Sequence, residues 1–299
     1  NLKKDLYINE SITIDGGNVY REAQNAYGVE LIVRRHPDAG DHATEDMNNV
    51  KIIIANDKTL TVEGNLFISR YAGHSNDPEI NGDAEKPAVN LVGGNVTISE
   101  GAGLHIFDNI SIDTLANNGN LYLYGGTENG QTNSFTAYDA DPADDKAGSL
   151  GNVTYVHLNH SGYDGGWDSD TIEVKMSAPN IIAGTYDTLT VRSAELLRDS
   201  NWIRQVAYYG TSFSNSADTS DVKGTATALF EGTLTIDGAV TANKVVIDAG
   251  TTLDANAALT ATAIENEGTL KVADSFTSDS TAFGNVVYDG TGTQNVAAG

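Results

Sequence analysis

The sequence predicts an all-β fold, a right-handed parallel β-helix (a solenoid) interrupted by an irregular, aromatic-rich insertion with one short helix. Three observations carry that expectation. Strand-length runs alternate apolar with polar residues at a period of two, and Gly, Asn or Asp punctuates nearly every boundary between them. One step also recurs: an Asn-x-Gly corner followed by an alternating apolar run occurs in "DTLANNGNLYLYG" (113–125) and again in "TAIENEGTLKVAD" (262–274).

The composition agrees. The chain has 299 residues with 31 Gly, only 5 Pro and an apolar fraction of 39%. Abundant Gly and β-branched Thr disfavour helix interiors and suit short strands joined by tight turns. The low apolar fraction points to a thin core.

Three zones follow along the chain. In residues 1–130 the runs "DLYINESITID", "VELIVRR", "VKIIIAND", "TLTVEGNLFIS", "VNLVGGNVTIS", "GLHIFDNISID" and "NLYLYGG" each read as a half-buried strand. Residues 226–299 repeat that grammar with smaller side chains, and "GTLTIDG", "KVVIDAGTTLDA" and "ALTATAIENEGTLKVAD" place apolar pairs every few residues with Gly or Asn at the corners. One such strand cannot bury its apolar face alone. Stacked coils about 4.8 Å apart pair each backbone with the next and enclose a narrow core of Val, Ile and Leu. At roughly 20 to 25 residues per coil, the two regular zones correspond to about nine coils.

The stretch "GTLTIDGAVTANKVVIDAGTTLDANAALTATAIENEGTLKVAD", with its "NEGTLKV" step echoed by "NNGNLYLYG", resembles the β-helical passenger regions of bacterial autotransporters and related large surface adhesins. The likeness is one of rhythm, covering the third zone well and the first loosely. It implies an exported, extracellular or cell-surface β-helix. The alternating strands and aromatic girdles of a membrane barrel are missing from the pattern, so membrane insertion is not carried over.

Residues 131–225 break the rhythm. This zone holds Trp167, Trp202, Tyr138, Tyr155, Tyr163, Tyr186, Tyr208 and Tyr209. Such amphipathic aromatics suit either a contact surface or a plug in a local core beneath a long loop. In "SAELLRDSNWIRQVAYYG", Ser193 reads as a helix N-cap with Glu195 in the first turn, and Leu196, Leu197, Ile203 and Val206 are spaced for one buried face; a short helix is expected over 193–209.

Charge narrows the partners. With 17 basic against 41 acidic residues, a net of −24, the surface repels nucleic-acid phosphates and anionic lipids and attracts divalent cations or basic partners. The chain has no Cys, which rules out disulfides and thiolate metal sites and accords with bacterial export. No apolar run reaches the roughly 18 residues of a transmembrane helix. The opening "NLKKDLYINESITIDGG" lacks an apolar signal core and reads as a mature or trimmed N-terminus.

Two acidic clusters are candidate Ca²⁺ sites: Asp139, Asp141, Asp144 and Asp145, and Asp164, Asp168 and Asp170. Both combine several hard oxygens with turn residues, as calcium requires, but the first lacks the sixth-position Gly and terminal Glu of an EF-hand; a solvated acidic turn is the competing reading. Of the six His residues, His36, His42, His74 and His105 are scattered, and only His157 and His160 are close. On an extended strand that spacing turns them to opposite faces, against a zinc site from the pair alone.

Parallel β-helices also serve polysaccharide lyases and glycoside hydrolases, whose chemistry needs two or three carboxylates about 5 to 10 Å apart. Asp15, Asp108, Asp113, Asp237 and Asp248 recur at expected corners, where side-chain hydrogen bonding to the backbone explains them without catalysis. The expected function is therefore a secreted or cell-surface structural protein, an adhesin or a subunit of a surface layer or filament. It acts without catalysis, and it associates with itself or with a host glycan or protein through open strand edges.

Overall fold

The fold is given by a computed structural model describing residues 5–19, 50–68, 89–106, 110–125, 135–137, 148–163, 172–197, 205–208, 212–213, 226–227 and 232–291. The described residues are all-β, with mainly parallel pairing and no helix.

The first half is assembled three strands at a time. The sets are β1 (Leu6–Ile8), β2 (Ile12–Ile14) and β3 (Gly17–Val19); β4 (Val50–Ile54), β5 (Thr59–Val62) and β6 (Asn65–Ile68); β7 (Val89–Val92), β8 (Asn95–Ile98) and β9 (Gly103–Ile106); and β10 (Ile110–Ile112), β11 (Thr114–Asn117) and β12 (Asn120–Tyr124). From β1 to β10, each strand pairs in parallel with the strand three places further on. One sheet runs β1-β4-β7-β10-β13, where β13 is Phe135–Ala137; a second runs β2-β5-β8-β11; and β3-β6-β9-β12 begins a third.

That third sheet continues through β14 (Asn152–Tyr163), β16 (Gly184–Leu197), β21 (Val240–Ile247), β23 (Leu259–Asn266) and β25 (Phe276–Ser278). The middle zone thus supplies two of the nine strands along this path. A fourth sheet stacks β20 (Gly232–Ile236), β22 (Thr251–Ala255), β24 (Thr269–Val272) and β26 (Asn285–Tyr288), all parallel. Two antiparallel partners stand off the main path: β15 (Ile172–Ser177) on the far half of β14 and β17 (Gln205–Tyr208) on the end of β16. Two short strands, β18 (Ser212–Phe213) and β19 (Ala226–Thr227), pair only with each other.

Register explains why these runs hold together. In the main sheet Leu66, Leu104, Leu121, Val153, Leu189, Val245 and Ile264 are successive partners, and each is 7% exposed or less. Two residues further along, Ile68, Ile106, Leu123, Tyr155, Val191 and Ile247 form a second buried row. Leu234, Leu253 and Leu270 form a third in the fourth sheet. Apolar side chains therefore sit on like side chains in the next layer, and a single cluster extends from Ile8 to Phe276. Fully burying one such aliphatic side chain contributes about 1.5–3 kcal/mol.

Tyr155 is the polar exception in its row. Its hydroxyl lies 3.0 Å from that of Tyr186, which donates to the Ile182 carbonyl at 2.6 Å, while the Ile182 amide points to Tyr155 at 3.4 Å. Both rings are fully buried. These two middle-zone tyrosines plug the core and tie an inserted backbone segment to it.

The two Asn-x-Gly steps are three-tier corners of the same construction. Below each lies a turn closed by an amide-to-carbonyl bond, Ala102 to Ser99 at 3.0 Å and Thr251 to Asp248 at 3.1 Å. Gly119 and Gly268 rest on those turns so closely that a Cβ at either would collide with carbonyl oxygens, of Ser99 and Ala102 or of Asp248 and Thr251. Above, Asn117 Nδ2 donates to the Leu150 and Asn152 carbonyls at 3.0 and 2.8 Å, and Asn266 Nδ2 donates to those of Phe283 and Asn285 at 2.8 and 2.9 Å. The middle residues of those upper tripeptides, Gly151 and Gly284, have φ of 71° and 64° and leave no space for a side chain against the asparagine below. An asparagine clamps one layer to the next, and glycines above and below make the approach possible.

The helix expected over 193–209 is corrected by the fold. Residues 193–197 end β16, and 205–208 are β17, antiparallel to it, with Leu196 opposite Val206 and Leu197 opposite Gln205. The apolar spacing that fits one helical face also fits the two arms of a hairpin, and the β-branched run "TLTV" entering from the stack already commits the backbone to strand. Residues 198–204 lie outside the described residues.

Asn266→Ala leaves the Phe283 and Asn285 carbonyls without their donor and is expected to cost about 1–3 kcal/mol. Asn266→Asp, which sets a carboxylate against two carbonyl oxygens, costs more. Urea unfolding at neutral pH measures both, and equal midpoints for the three proteins contradict the clamp.

Candidate functional site

All seven expected calcium ligands, Asp139, Asp141, Asp144, Asp145, Asp164, Asp168 and Asp170, lie outside the described residues, as do Asp108, Trp167, Trp202, Tyr138 and Tyr209. Among the described residues no group of three or more His, Asp or Glu side chains is placed to hold a metal ion. His157 and His160 lie on one strand, β14, opposite Ser193 and Leu196.

The corner aspartates are engaged locally. Asp113 Oδ2 accepts from the Gly94 amide at 3.1 Å, Asp237 Oδ1 accepts from Asn256 Nδ2 at 3.2 Å, and Asp248 forms an ion pair with Arg192 at 2.5 Å. The Asp15 carbonyl lies against Gly64.

The most distinctive constellation is on the face of the main sheet opposite the core rows. Phe67, His105 and Tyr122 are successive register partners on β6, β9 and β12. Strand alternation turns all three outward, where they stack along the sheet. Ring centroids are 4.1 Å apart between Phe67 and His105 and 4.2 Å apart between His105 and Tyr122, with interplanar angles of 16° and 1°. Tyr124, two residues beyond Tyr122 on the same face, brings its hydroxyl to His105 Nδ1 at 3.0 Å.

Val156 and Ala194 complete a second apolar cluster with Tyr124, separate from the main core, against which Phe67 and Tyr122 pack. The row Tyr124, Val156, Arg192 ends beside the Arg192–Asp248 pair. This face therefore combines stacked aromatic edges, an imidazole fixed by a phenol, and one ion pair, a composition suited to contact with a partner surface.

His105 is 8% exposed, and burial lowers its pKa from 6.5 to about 4. The ring is neutral at pH 7, so the Tyr124 hydroxyl donates to Nδ1 or accepts from it according to tautomer. The signal was present in the sequence: "NLFI", "GLHI" and "NLYL" each set an aromatic or imidazole ring between two aliphatic residues. Recognising it as one site requires knowing that the three strands are neighbours.

Because the folded state keeps His105 neutral, the unfolded chain takes up its proton first as pH falls. Stability is expected to decline from about pH 6.5 and to level off near pH 4 for this group, by up to about 3 kcal/mol. Burial also lowers the pKa of His157, in the same sense. His105→Phe, which keeps a ring between Phe67 and Tyr122, should flatten the stability profile between pH 6.5 and 5. Denaturant unfolding at a series of pH values is the measurement, and a variant as acid-sensitive as the parent contradicts this role.

In comparisons with known proteins, no family model, no curated protein and no solved structure matches the chain.

Proposed function

We propose that the chain is a right-handed parallel β-helix that works as an exported, cell-surface structural protein, associating end to end through the open strand edges of its terminal layers. The three-strand step of the first half, with every pairing along it parallel, supports the coiled path, and parallel crossovers are overwhelmingly right-handed. The rhythm shared with autotransporter passengers supports the surface location.

The observation that carries the reading is where apolar surface remains. Among the described residues the exposed large hydrophobic side chains are Leu6 (40%), Tyr7 (61%), Ile12 (37%) and Val287 (40%), all on the first and last strands of the stack. Leu6 and Ile12 belong to core rows, since their partners Ile52 and Leu60 are buried. Both rows are thus exposed at β1 and β2, the outermost described strands of their sheets. Among the described residues β1 and β2 also lie at the edges of their sheets, and the backbone groups of an edge strand offer a template for a further parallel strand. A second copy supplies such strands at its opposite end, and a heterologous contact of that kind propagates into a filament.

Sedimentation velocity over a range of concentrations, with electron microscopy of the same samples, tests the reading on the parent and a Leu6→Lys/Ile12→Lys variant. Concentration-dependent rods or filaments are expected for the parent and single particles for the variant. Single particles from both at every concentration refute end-to-end association.

Divalent cations belong to the same proposal. A net charge of −24 opposes assembly of an elongated particle, and a hard cation shared by the carboxylates at 139–145 and 164–170 relieves it. Thermal unfolding in millimolar Ca²⁺ is expected above that in chelator at matched ionic strength, and equal midpoints refute the ion's role.

A further inference from the structure

We propose that His157 is an acid-sensitive latch at the root of the side hairpins, holding β14 and β16 against β20 and β22 while neutral and releasing them when protonated.

The position is a structural junction. Up to His157, β14 follows the stack; from Leu158 to Tyr163 it pairs in antiparallel fashion with β15. Ser193 is the last residue of β16 before Ala194–Leu197 pairs with β17, and His157 and Ser193 are direct register partners. The pair therefore marks the step at which both strands, still paired with each other as far as His160 and Leu196, pass from their neighbours β12 and β21 to their antiparallel partners. Alternation from Val153 and Tyr155 and from Leu189 and Val191 turns both side chains toward the interior, where β20 and β22 lie opposite.

The packing there is dry and close. His157 is 8% exposed, and Ser193 and Thr251 are 1% exposed. Their hydroxyls are 3.2 Å apart, Thr251 donating to Ser193. Gly232, the partner of Thr251, presses its backbone against the imidazole: a Cβ there would overlap the His157 ring and stand 2.7 Å from Ser193 Oγ. His157 Nδ1 is buried with no hydrogen-bond partner among the described residues.

A neutral ring tolerates that site with Nδ1 as a bare acceptor. An imidazolium does not, because both nitrogens then carry protons and the charge needs an acceptor or water. None of the described neighbours supplies a carboxylate. β16 brings Ser193 and turns Arg192 to the other face, where it meets Asp248; β20 has no titratable side chain; β22 brings Thr251 and turns Asp254 to its other face; β12 ends at Tyr124, one register step short; and Glu195, two residues beyond Ser193 on β16, and Glu173 and Lys175 on β15 carry side chains outside the described residues. Burial holds the His157 pKa below its ordinary value, outweighing a contact with its own backbone that acts in the opposite sense. The proton is accommodated by separating the β14–β16 root from Gly232 and Thr251, which admits water without unstacking the remaining layers.

Amide hydrogen exchange of the full chain at pH 7.5 and 5.5, corrected for intrinsic rates, tests the latch. Protection in 152–163, 184–197 and 232–236 should fall by up to about tenfold at pH 5.5 relative to 259–272, from the linkage of one proton whose open-state pKa is near 6.5. His157→Phe should hold the same protection at both pH values. Unchanged protection in the parent, or an equal pH response in the variant, overturns the proposal. Should His157→Phe fail to fold, the imidazole resonances of the parent decide the matter by nuclear magnetic resonance. Titration well below pH 6.5 that tracks the exchange supports the latch, and titration at or above 6.5 overturns it.

Discussion

The constraint on which the structure depends is register between successive layers. A parallel strand has side chains at a period of two, so a slip of one residue would turn Leu104, Leu121, Val153 and Leu189 outward together and bring His105, Tyr122, Thr154 and Thr190 into the core. The cost of such a slip falls on every layer at once. In-register stacking thus lets a chain with 39% apolar residues maintain one continuous core: in the inner layers a buried side chain is covered above and below by its register partners, and few are needed per layer.

Register has to be set where the chain turns, and the asparagine corners do this. Asn117 and Asn266 each hold two carbonyls of the next layer, and the glycines at 119, 151, 268 and 284 allow the backbones to approach within contact distance. The corners define how one layer sits on another; the aliphatic rows stabilise that arrangement. Where the chain departs from the rhythm, in the middle zone, other devices take over. Tyr155 and Tyr186 replace aliphatic packing by a hydrogen-bonded pair, and beyond the His157–Ser193 step β14 and β16 take up their antiparallel partners.

How much of this was legible in the sequence depends on the range over which each feature is determined. Strand character is local, so the alternating runs and their Gly and Asn boundaries were readable, as was the kinship of the two Asn-x-Gly steps. The partner of each step was not, because Leu150-Gly-Asn152 lies more than thirty residues beyond Asn117 in the chain. The same limit hid the aromatic row, whose members are ordinary in isolation and meet only through register. The error over 193–209 has a different cause: four apolar residues within eleven positions are compatible with one helical face or with two facing strands, and only the pairing of Leu196 with Val206 distinguishes them. The acidic clusters at 139–145 and 164–170 lie outside the described residues, and the aromatic face is defined by strand pairing, which local sequence does not encode.

The account stands or falls on neighbouring layers being parallel and in register, and the natural absence of cysteine makes this directly measurable. Thr241 and Thr260 are exposed register partners on β21 and β23. Spin labels on Thr241→Cys/Thr260→Cys should show strong dipolar broadening, from backbones about 4.8 Å apart. Each single-label control should remain sharp at concentrations where the chain is monomeric. Labels more than about 20 Å apart, beyond what two flexible side chains on adjacent strands span at that spacing, would contradict the stacked arrangement.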